Sequence, residues 1–460
     1  MRARSSESGK LCGMSLLRFP DDFVWGSATA SYQIEGAARE GGRAPSVWDT
    51  FTHSPGKVAN GETGDVACDH YHRYREDVSL MSEIGLQAYR LSLSWTRLLP
   101  AGVGAVNPAG LDFYNRLLDE LGAKGIEPYI TLFHWDYPQA LHDRGGWAAT
   151  EGPGWFGDYA ELCFRAFGDR CKHWITLNEP WCYAFLGHGI GVHAPGVVSD
   201  TEPFSVGHGL LLGHGEAVKR FRSLVPNGEI GITTNHVFVE PLTHSEDDRR
   251  AAEQHNAWSA GWFLDPIYRG DYPAFMKTRY DMPEFTPETS ALVSAPTDFM
   301  GLNFYIASPV RWNPKSRNDA EELDDPSLPH TEMGWMVAPD TIRHTLVESQ
   351  RLYNPPKILV TENGCAFEDV VTDGRVHDPK RVDFLLNYLR ACHEAINHGT
   401  RLKGYFVWSF MDNFEWAEGY RPRFGITYVD FETQRRIIKS SALMFREVIA
   451  SNGLTAEVVC

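Results

Sequence analysis

The feature that most constrains the fold is a short apolar run that recurs along the chain and each time leads into a polar residue. Such runs suit strands buried on both faces, because a strand of this kind has no solvent-facing side on which polar residues would alternate with apolar ones. The sequence predicts eight of them, at residues 23–29, 88–94, 127–133, 173–177, 229–234, 298–304, 357–361 and 402–407.

Amphipathic stretches with helical spacing lie between these runs, at residues 73–84, 108–124, 155–167, 206–224 and 379–398. Alternating strands and helices predict a parallel sheet with helical crossovers. Eight strands in one chain predict a single-domain α/β fold, the (β/α)8 TIM barrel, with elaborated loops at the carboxyl ends of its strands. A barrel of this kind carries its active site at that end.

A chain of 460 residues could form two or three average domains, but α/β barrels often exceed 250 residues as one domain. No repeat or Pro/Ser-rich linker divides the chain, so we expect one domain over residues 14–460. Residues 1–13 are polar and lack the apolar core of a signal peptide. We expect them to be a disordered leader or a cloning remnant, with Met14 as a plausible start.

The formal charge of −17 argues against nucleic acid and anionic membranes as main partners, because both reward a basic surface. No run of about 18 apolar residues is present, so no membrane span is expected. Eight scattered cysteines without a CxxC motif suit a reducing cytoplasm. The oligomeric state stays open, and a homo-oligomer is compatible with the sequence.

Two of the apolar runs end in a carboxylate. Ile358, Leu359 and Val360 lead to Glu362, and the run at 173–177 leads to Glu179. A carboxylate at the end of a buried strand is costly unless it has a partner or a chemical role. One interpretation is structural, with each carboxylate accepting hydrogen bonds from loop amides or forming a salt bridge. The other is an acid and a nucleophile that face each other, the pair used in glycoside hydrolysis.

Five motifs in order make the chain similar to glycoside hydrolase family 1, the retaining β-glucosidases and their relatives. The segments Thr-Leu-Asn-Glu-Pro at 176–180 and Val-Thr-Glu-Asn-Gly at 360–364 resemble its acid/base and nucleophile motifs. The segments at 23–26, 31–36 and 408–416 resemble three further motifs. The resemblance runs from about Phe19 to about Ile449.

This resemblance implies that Glu179 is the general acid/base and Glu362 the nucleophile. Arg90 should keep Glu362 ionised, because a nearby opposite charge lowers a carboxyl pKa. Tyr305 should donate a hydrogen bond to Glu362 and orient it. The structural alternatives are a barrel-core ion pair for Arg90 and a tyrosine of the barrel rim for Tyr305.

The resemblance also implies a set of sugar-binding residues. Asn178 should bind the 2-hydroxyl, His134 should bind a sugar hydroxyl, and Trp408 should form an apolar floor under the sugar ring. The structural alternatives are a buried histidine satisfied by backbone for His134 and a core residue for Trp408. The remaining expected sugar contacts are Gln33, Asn303, Glu415, Trp416 and Phe424, and the expected aglycone contacts are Trp335, Trp181, Tyr183, Leu186, His193 and Asn235.

The expected activity is hydrolysis of β-glucosides with retention, on cellobiose-like oligosaccharides and on aryl and alkyl β-glucosides, with some action on β-galactosides and β-fucosides. The partners expected are small-molecule substrates, and neither a cofactor nor a metal is required. A myrosinase-like thioglycosidase would lack the acid, and a sugar-binding pseudoenzyme would lack one carboxylate; Glu179 and Glu362 are both present.

A 6-phospho-β-glycosidase would need cations for the phosphate. Phospho-specific members resemble one another in placing serine, lysine and tyrosine where this chain has Glu415, Pro422 and Phe424. Arg421 and Arg423 could bind phosphate if they turned inward, but we expect them to point to solvent. The polar insertion at residues 311–333 has no clear structure in the sequence, and we expect it to form part of the substrate entrance.

Overall fold

The computed structural model describes residues 11–459 and confirms the predicted barrel. Eight parallel strands close on themselves, and each lies within two residues of its predicted bounds. They are β1 (Val24–Ala28), β2 (Ala88–Ser92), β3 (Glu127–Phe133), β4 (His173–Asn178), β5 (Glu229–Thr234), β6 (Phe299–Asn303), β7 (Ile358–Asn363) and β8 (Leu402–Trp408).

Each strand pairs in parallel with the next one along the chain, and β8 pairs with β1 to close the ring. The closing register runs from Gly404 opposite Val24 to Trp408 opposite Ala28. Because all eight strands run the same way, their carboxyl ends meet at one rim of the barrel. The polar residues that follow the apolar runs are therefore brought to the same end.

Helices surround the barrel, and the five predicted ones are present with small changes at their ends. These are His70–Ile84, Pro108–Ala123, Gly152–Phe167, Glu202–Leu224 and Pro379–Asn397. The helices not predicted from the sequence include Glu246–Asn256, Trp262–Arg269, Ala274–Arg279, Pro287–Val293, Asp340–Tyr353 and Ser440–Ser451. Short helices at Ser31–Ile34, Val47–Thr52, Trp95–Leu98 and Gln139–His142 lie in the loops. None of the helices within residues 11–459 is both long and apolar enough to cross a membrane.

The helix Pro108–Ala123 shows how the sequence sets these elements. Asn107 caps it, since its side-chain oxygen accepts the backbone N–H of Ala109 at 3.2 Å. Pro108 occupies the first helical position, where its missing N–H costs nothing. Phe113, Leu117 and Leu121 recur on one face and are buried against the core.

The two ends of the described chain pair with each other outside the barrel. The strand Leu11–Arg18 runs antiparallel to Gly453–Val459. It begins at Leu11, so three residues of the segment predicted as a disordered leader, 1–13, belong to this strand, and Leu11 lies opposite Val459. Residues 1–10 of that segment lie outside the described residues.

The insertion at residues 311–333, which shows no clear structure in the sequence, contains regular structure in its first half. Short strands at Val310–Trp312 and Ala320–Glu322 form an antiparallel hairpin. Val310 and Ala320 pack with Ala251 of the helix Glu246–Asn256 in a small apolar cluster separate from the main core. This contact holds the hairpin against one side of the barrel rim, beside the cavity described next.

Candidate active site

A cavity of about 510 Å³ opens at the carboxyl rim, and most of the predicted site residues line it. They come from the ends of different strands and from the loops that follow, as the barrel requires. The predicted residues in the wall are His134, Asn178, Glu179, Trp181, Leu186, His193, Asn235, Asn303, Tyr305, Trp335, Glu362, Trp408, Glu415, Trp416 and Phe424.

Three predicted residues are not part of the cavity wall. Arg90 is buried behind Glu362, and Gln33 is buried beside the loop after β8, where its Nε2 donates to Asn413 Oδ1 at 3.0 Å. Tyr183 was predicted to face the aglycone, and that prediction was wrong. Its ring is 2% exposed and packs edge-on against Phe133 in the core, because the chain turns through a π-helical segment after Glu179.

Glu362 lies near the end of β7 with partners on both carboxylate oxygens. Arg90 Nη1 forms an ion pair with Oε1, and the Tyr305 hydroxyl donates to Oε2 at 2.7 Å. Gly364 follows two residues later, where a Cβ would stand 1.7 Å from the carbonyl oxygen of Trp408. Only glycine fits there, so this residue lets β7 and β8 end close together and places Glu362 beside Trp408.

Glu179 lies directly after β4 and has a left-handed backbone, with φ of +43°. A non-glycine residue in this region is strained by about 1–2 kcal/mol, so surrounding contacts must hold it. Its N–H donates to the carbonyl oxygen of Thr233 at 2.9 Å, and its Oε1 accepts from Asn303 Nδ2 at 2.6 Å. These contacts fix both the turn and the direction of the carboxyl group.

Asn178 links the two carboxylates through a buried network. Its Oδ1 accepts from Arg90 Nη2 at 2.5 Å and from Asn303 Nδ2 at 3.0 Å. Its Nδ2 donates to His134 Nε2 at 3.1 Å. Arg90 therefore contacts Glu362 directly, while Asn303 contacts Glu179, and one asparagine joins the two halves.

The surroundings give the two carboxyl groups different tendencies to ionise. Burial raises the pKa of Glu179 to about 7, and the charge of Glu362 acts in the same direction, against the hydrogen bond from Asn303. Burial also raises the pKa of Glu362, but the Arg90 guanidinium and the Tyr305 hydroxyl oppose this rise. Since only Glu362 contacts a cation, it is the member of the pair that ionises first.

His134 and Glu415, which line the cavity, each carry an unpaired polar atom, and so does Gln33, which is buried behind the cavity wall. His134 Nδ1, Gln33 Oε1 and Glu415 Oε2 are buried and have no hydrogen-bond partner among residues 11–459. Burial raises the pKa of Glu415 to about 8, with the charges of Glu362 and Glu179 acting in the same direction. Buried polar atoms without partners are costly, so these three are suited to binding the hydroxyl groups of a ligand.

The two arginines after β8 differ from each other. Arg421 is half exposed and pairs with Glu418 and Glu332, as expected for a residue that points outward. The same expectation was wrong for Arg423, whose side chain is only 18% exposed and pairs with the fully buried Asp412 at 2.7 Å. The buried carboxylate draws this arginine inward, away from both solvent and the cavity wall.

Sequence reasoning missed several residues of the outer wall. Trp135 has a left-handed backbone, with φ of +76°, and its Nε1 donates to the carbonyl oxygen of Asn178 at 2.9 Å. The other residues missed are Cys182, Val192, Val237, His255, Trp258, Ser259, Ile306, Ala417 and Glu418. Glu322 and Met333 also line the cavity, and they belong to the insertion at residues 311–333 that was expected at the substrate entrance. The adjacency of Trp135 to His134 was a signal for that residue, whereas His255 and Trp258 lie in segments for which no element was predicted.

A (β/α)8 barrel with two carboxyl groups at the ends of β4 and β7, one of them paired with a guanidinium, has the arrangement that glycoside hydrolases use. The family model described as glycosyl hydrolase family 1 matches residues 16–454. The chain belongs to this family, in agreement with the resemblance seen in its motifs, and it is therefore an enzyme that hydrolyses glycosides.

Its relatives are β-glucosidases of bacteria and plants. β-Glucosidase A of Thermotoga maritima is 48% identical over 96% of this chain and 100% of its own length. β-Glucosidase A of Acetivibrio thermocellus is 44% identical over the same share of each. The solved structure of the family 1 β-glucosidase from T. maritima covers 95% of this chain and 99% of its own, with a TM-score of 0.93.

Proposed function

We propose that the chain is a retaining β-glucosidase that removes terminal β-D-glucosyl residues from cellobiose-like oligosaccharides and from aryl and alkyl β-glucosides. The observation that carries the proposal is the joint network of Glu179 and Glu362, in which one carboxyl group contacts Asn303 and the other contacts Arg90. The names of two relatives support the same substrate class: β-glucosidase A of T. maritima and 1,4-β-D-glucan glucohydrolase of Thermotoga neapolitana.

In the first step, a carboxylate oxygen of Glu362 attacks the anomeric carbon. The bond from that carbon to the aglycone oxygen breaks, and the proton of Glu179 moves to the departing oxygen. The product is a glycosyl ester of Glu362. Arg90 and Tyr305 hold the attacking carboxylate in place, and the raised pKa of Glu179 keeps the acid protonated near neutral pH.

In the second step, Glu179 acts as a base. Esterification removes the charge of Glu362, which is one of the causes of the raised pKa of Glu179. The pKa of Glu179 therefore falls, and its carboxylate takes a proton from water while the water oxygen attacks the anomeric carbon. The ester bond breaks and both groups return to their starting states, with the configuration at the anomeric carbon retained.

The inner end of the cavity is suited to a neutral hexose. Trp408 offers a flat apolar surface, and its ring lies 5.9 Å from that of His134, nearly parallel to it. His134 Nδ1, Gln33 Oε1 and Glu415 Oε2 are the unpaired atoms that would bind its hydroxyl groups, and Asn178 would bind the 2-hydroxyl. We extend the proposal to β-galactosides and β-fucosides, since those sugars differ from glucose only at positions 4 and 6.

A cytoplasmic location is part of this proposal. Six cysteines within the described residues are free thiols, all of them buried: Cys68, Cys163, Cys171, Cys182, Cys365 and Cys392. Burial raises the pKa of the Cys392 thiol, as it does for other buried cysteines of this chain. Buried neutral thiols suit a reducing compartment.

The test is the variant Glu362→Ala on 4-nitrophenyl β-glucoside. It should lose nearly all activity, because no other group can attack the anomeric carbon from that face. Azide should then restore turnover and give the glucosyl azide of inverted configuration, which proton NMR identifies. The exposed Glu83 provides the control, since Glu83→Ala should behave like the wild type. Wild-type activity in Glu362→Ala would show that the nucleophile is a different residue.

A further inference from the structure

The cavity is larger than a hexose needs, and its outer part is walled by apolar side chains. Trp181, Leu186, Trp258 and Met333 line this part. They come from the turn and π-helical segment after β4, from a second π-helical segment at Ala257–Gly261 and from the insertion at residues 311–333. A wall of this kind binds an aglycone through apolar contact but does not select its polar groups. The selecting groups must therefore lie where the apolar wall ends.

Two polar residues of the outer wall lie at such a place. His255 ends the helix Glu246–Asn256 and is 5% exposed, and Glu322 ends the hairpin strand Ala320–Glu322 and has a side chain that is 58% exposed. His255 Nδ1 is 3.3 Å from Asn318 Nδ2, which satisfies one ring nitrogen. Its Nε2 lies 3.8 Å from Glu322 Oε1, which is too far for a hydrogen bond, and has no nearer partner among residues 11–459.

Within the described residues, Glu322 is the carboxylate of the cavity wall that is both solvent-exposed and without a lysine or arginine partner. The charged residues in its wall are Glu179, Glu322, Glu362, Glu415 and Glu418, and across the described part of the chain no lysine or arginine joins them. Glu418 is neutralised by Arg421 at 2.8 Å. Glu322 has no lysine or arginine within 4.0 Å in the described residues, and burial lowers the pKa of His255, so the imidazole beside it stays neutral.

We propose that His255 and Glu322 form the outer end of the aglycone site, and that this end selects aglycones with an apolar body and a terminal ammonium group. An ammonium group has three donors and a positive charge, which match the acceptor oxygens of Glu322. His255 Nδ1 accepts from Asn318 Nδ2, so the ring proton is on Nε2, which faces Glu322 Oε1 and marks the inner side of this site. A terminal hydroxyl is accepted more weakly, and a terminal carboxylate meets like charge. This selection rests on the proposed β-glucosidase function.

The experiment compares three phenyl β-glucosides with an ethyl group at the para position that ends in an ammonium, a hydroxyl or a carboxylate. The ethyl spacer keeps the acidity of the three leaving phenols similar, so that kcat/KM reports the end group. For the wild type we expect kcat/KM of the ammonium compound to exceed that of the hydroxyl compound by about fivefold, and that of the carboxylate compound to be lower by a similar factor. Added salt should shrink both ratios.

Matched variants of the hairpin separate this effect from the overall charge. Glu322→Gln keeps the shape and removes the charge. The ratio of kcat/KM for the ammonium compound to that for the hydroxyl compound should then become about one, and so should the ratio of the hydroxyl compound to the carboxylate compound. Glu321→Gln makes the same change one residue earlier, where the carboxylate pairs with Arg311 at 3.0 Å and lies outside the cavity wall, and it should keep the wild-type ratios.

Two results would overturn the inference: wild-type ratios near one, or ratios that survive in Glu322→Gln. Failure of the proposed function would look different, because the enzyme would then hydrolyse neither the hydroxyl compound nor 4-nitrophenyl β-glucoside. That result would overturn both proposals together.

Discussion

At the scale of single residues, Glu179 has the most demanding role, since it must hold a proton in one step and lose it in the next. Burial and the charge of Glu362 raise its pKa to about 7, while Asn303 favours the ionised form by donating to Oε1. The strained backbone at φ +43° turns the side chain to meet Asn303. The position and the pKa of Glu179 thus depend on the same few neighbouring residues.

The variant Glu179→Gln tests this role through the leaving group. Glutamine cannot protonate the departing oxygen, so kcat/KM for phenyl β-glucoside should fall by roughly 10²–10⁴-fold. The loss for 2,4-dinitrophenyl β-glucoside should be much smaller, since that phenolate leaves without a proton. Glu418→Gln is the control, because it makes the same change in another carboxylate of the cavity wall. Equal losses of Glu179→Gln on both substrates would indicate a structural role.

The pH dependence of the wild type follows from the same pKa. Glu179 donates only while protonated, and its raised pKa extends the protonated form to about pH 7. We therefore expect kcat/KM for phenyl β-glucoside to fall as the pH rises through about 7. This decrease at alkaline pH should be absent in Glu179→Gln. If it persists in that variant, the decrease is caused by the titration of another group.

The residues that the sequence predicted best are those at strand ends. Glu179 and Glu362 stand out because a carboxylate after a buried apolar run is unusual, whereas the roles predicted for them and for Arg90 come from the resemblance of the motifs. Cys182 and Trp258 carry no such signal. Each reaches the cavity only because a π-helical segment turns it toward the cavity, Cys182–Leu186 for the first and Ala257–Gly261 for the second. Nothing in the local sequence pattern predicts either turn.

At the scale of elements, the ends of β7 and β8 depend on Gly364. A Cβ at this position would stand 1.7 Å from the carbonyl oxygen of Trp408, far inside any real contact. Gly364→Ala should lower the free energy of unfolding by about 1–3 kcal/mol, because either strand end must shift. Since Glu362 and Trp408 lie at these ends, kcat/KM on 4-nitrophenyl β-glucoside should fall as well.

Gly122 offers a matched control for this change. It lies in the helix Pro108–Ala123, and a Cβ there would meet nothing within 4 Å. Gly122→Ala should stabilise the protein by up to about 1 kcal/mol, since alanine favours the helix more than glycine does. Urea unfolding midpoints of the two variants measure both effects. A Gly364→Ala protein as stable and active as the wild type would refute the steric argument.

The barrel elements were predictable because their apolar runs are long and regularly placed. The hairpin formed by Val310–Trp312 and Ala320–Glu322 was not, because two strands of three residues, rich in charged side chains, show no period. The helix Glu246–Asn256 was missed for a similar reason, since only Ala251, Ala252 and His255 are buried on it. The hairpin and this helix pack against each other, and this tertiary contact leaves no local pattern in the sequence.

At the scale of the whole molecule, the distribution of charge decides which sugars fit. The chain carries a formal charge of −17, and buried cations of the described residues are paired with buried carboxylates rather than lining the cavity. Arg423 and Lys439 both pair with Asp412 at 2.7 Å, and Asp412 is fully buried. If Arg423 left to bind an anionic sugar, Asp412 would lose half of its compensation, and breaking a buried pair costs about 3–5 kcal/mol. Arg423 and Lys439 are therefore needed to compensate the charge of Asp412 and do not serve to bind an anionic sugar.

The last prediction concerns 6-phosphoglucosides. Glu415 lies in the cavity wall with one unpaired oxygen, and its raised pKa of about 8 suits a group that binds neutral hydroxyls. It brings no positive charge to a phosphate dianion, and its ionised form would repel one. Pro422 and Phe424 supply no cation or hydroxyl to offset that repulsion, and Arg421 is bound to Glu418 and Glu332.

The wild type should therefore hydrolyse 4-nitrophenyl β-glucoside at least about a hundredfold better than its 6-phosphate, a difference of about 3 kcal/mol in transition-state binding. Measuring kcat/KM on both substrates decides this. Glu415→Gln should narrow the ratio, mainly by losing activity on the glucoside, because it removes the repulsion together with an acceptor of the hydroxyl groups. Comparable wild-type rates on the two substrates would mean that one of the arginines leaves its carboxylate partner and binds the phosphate, at a cost that the buried network around Asp412 argues against.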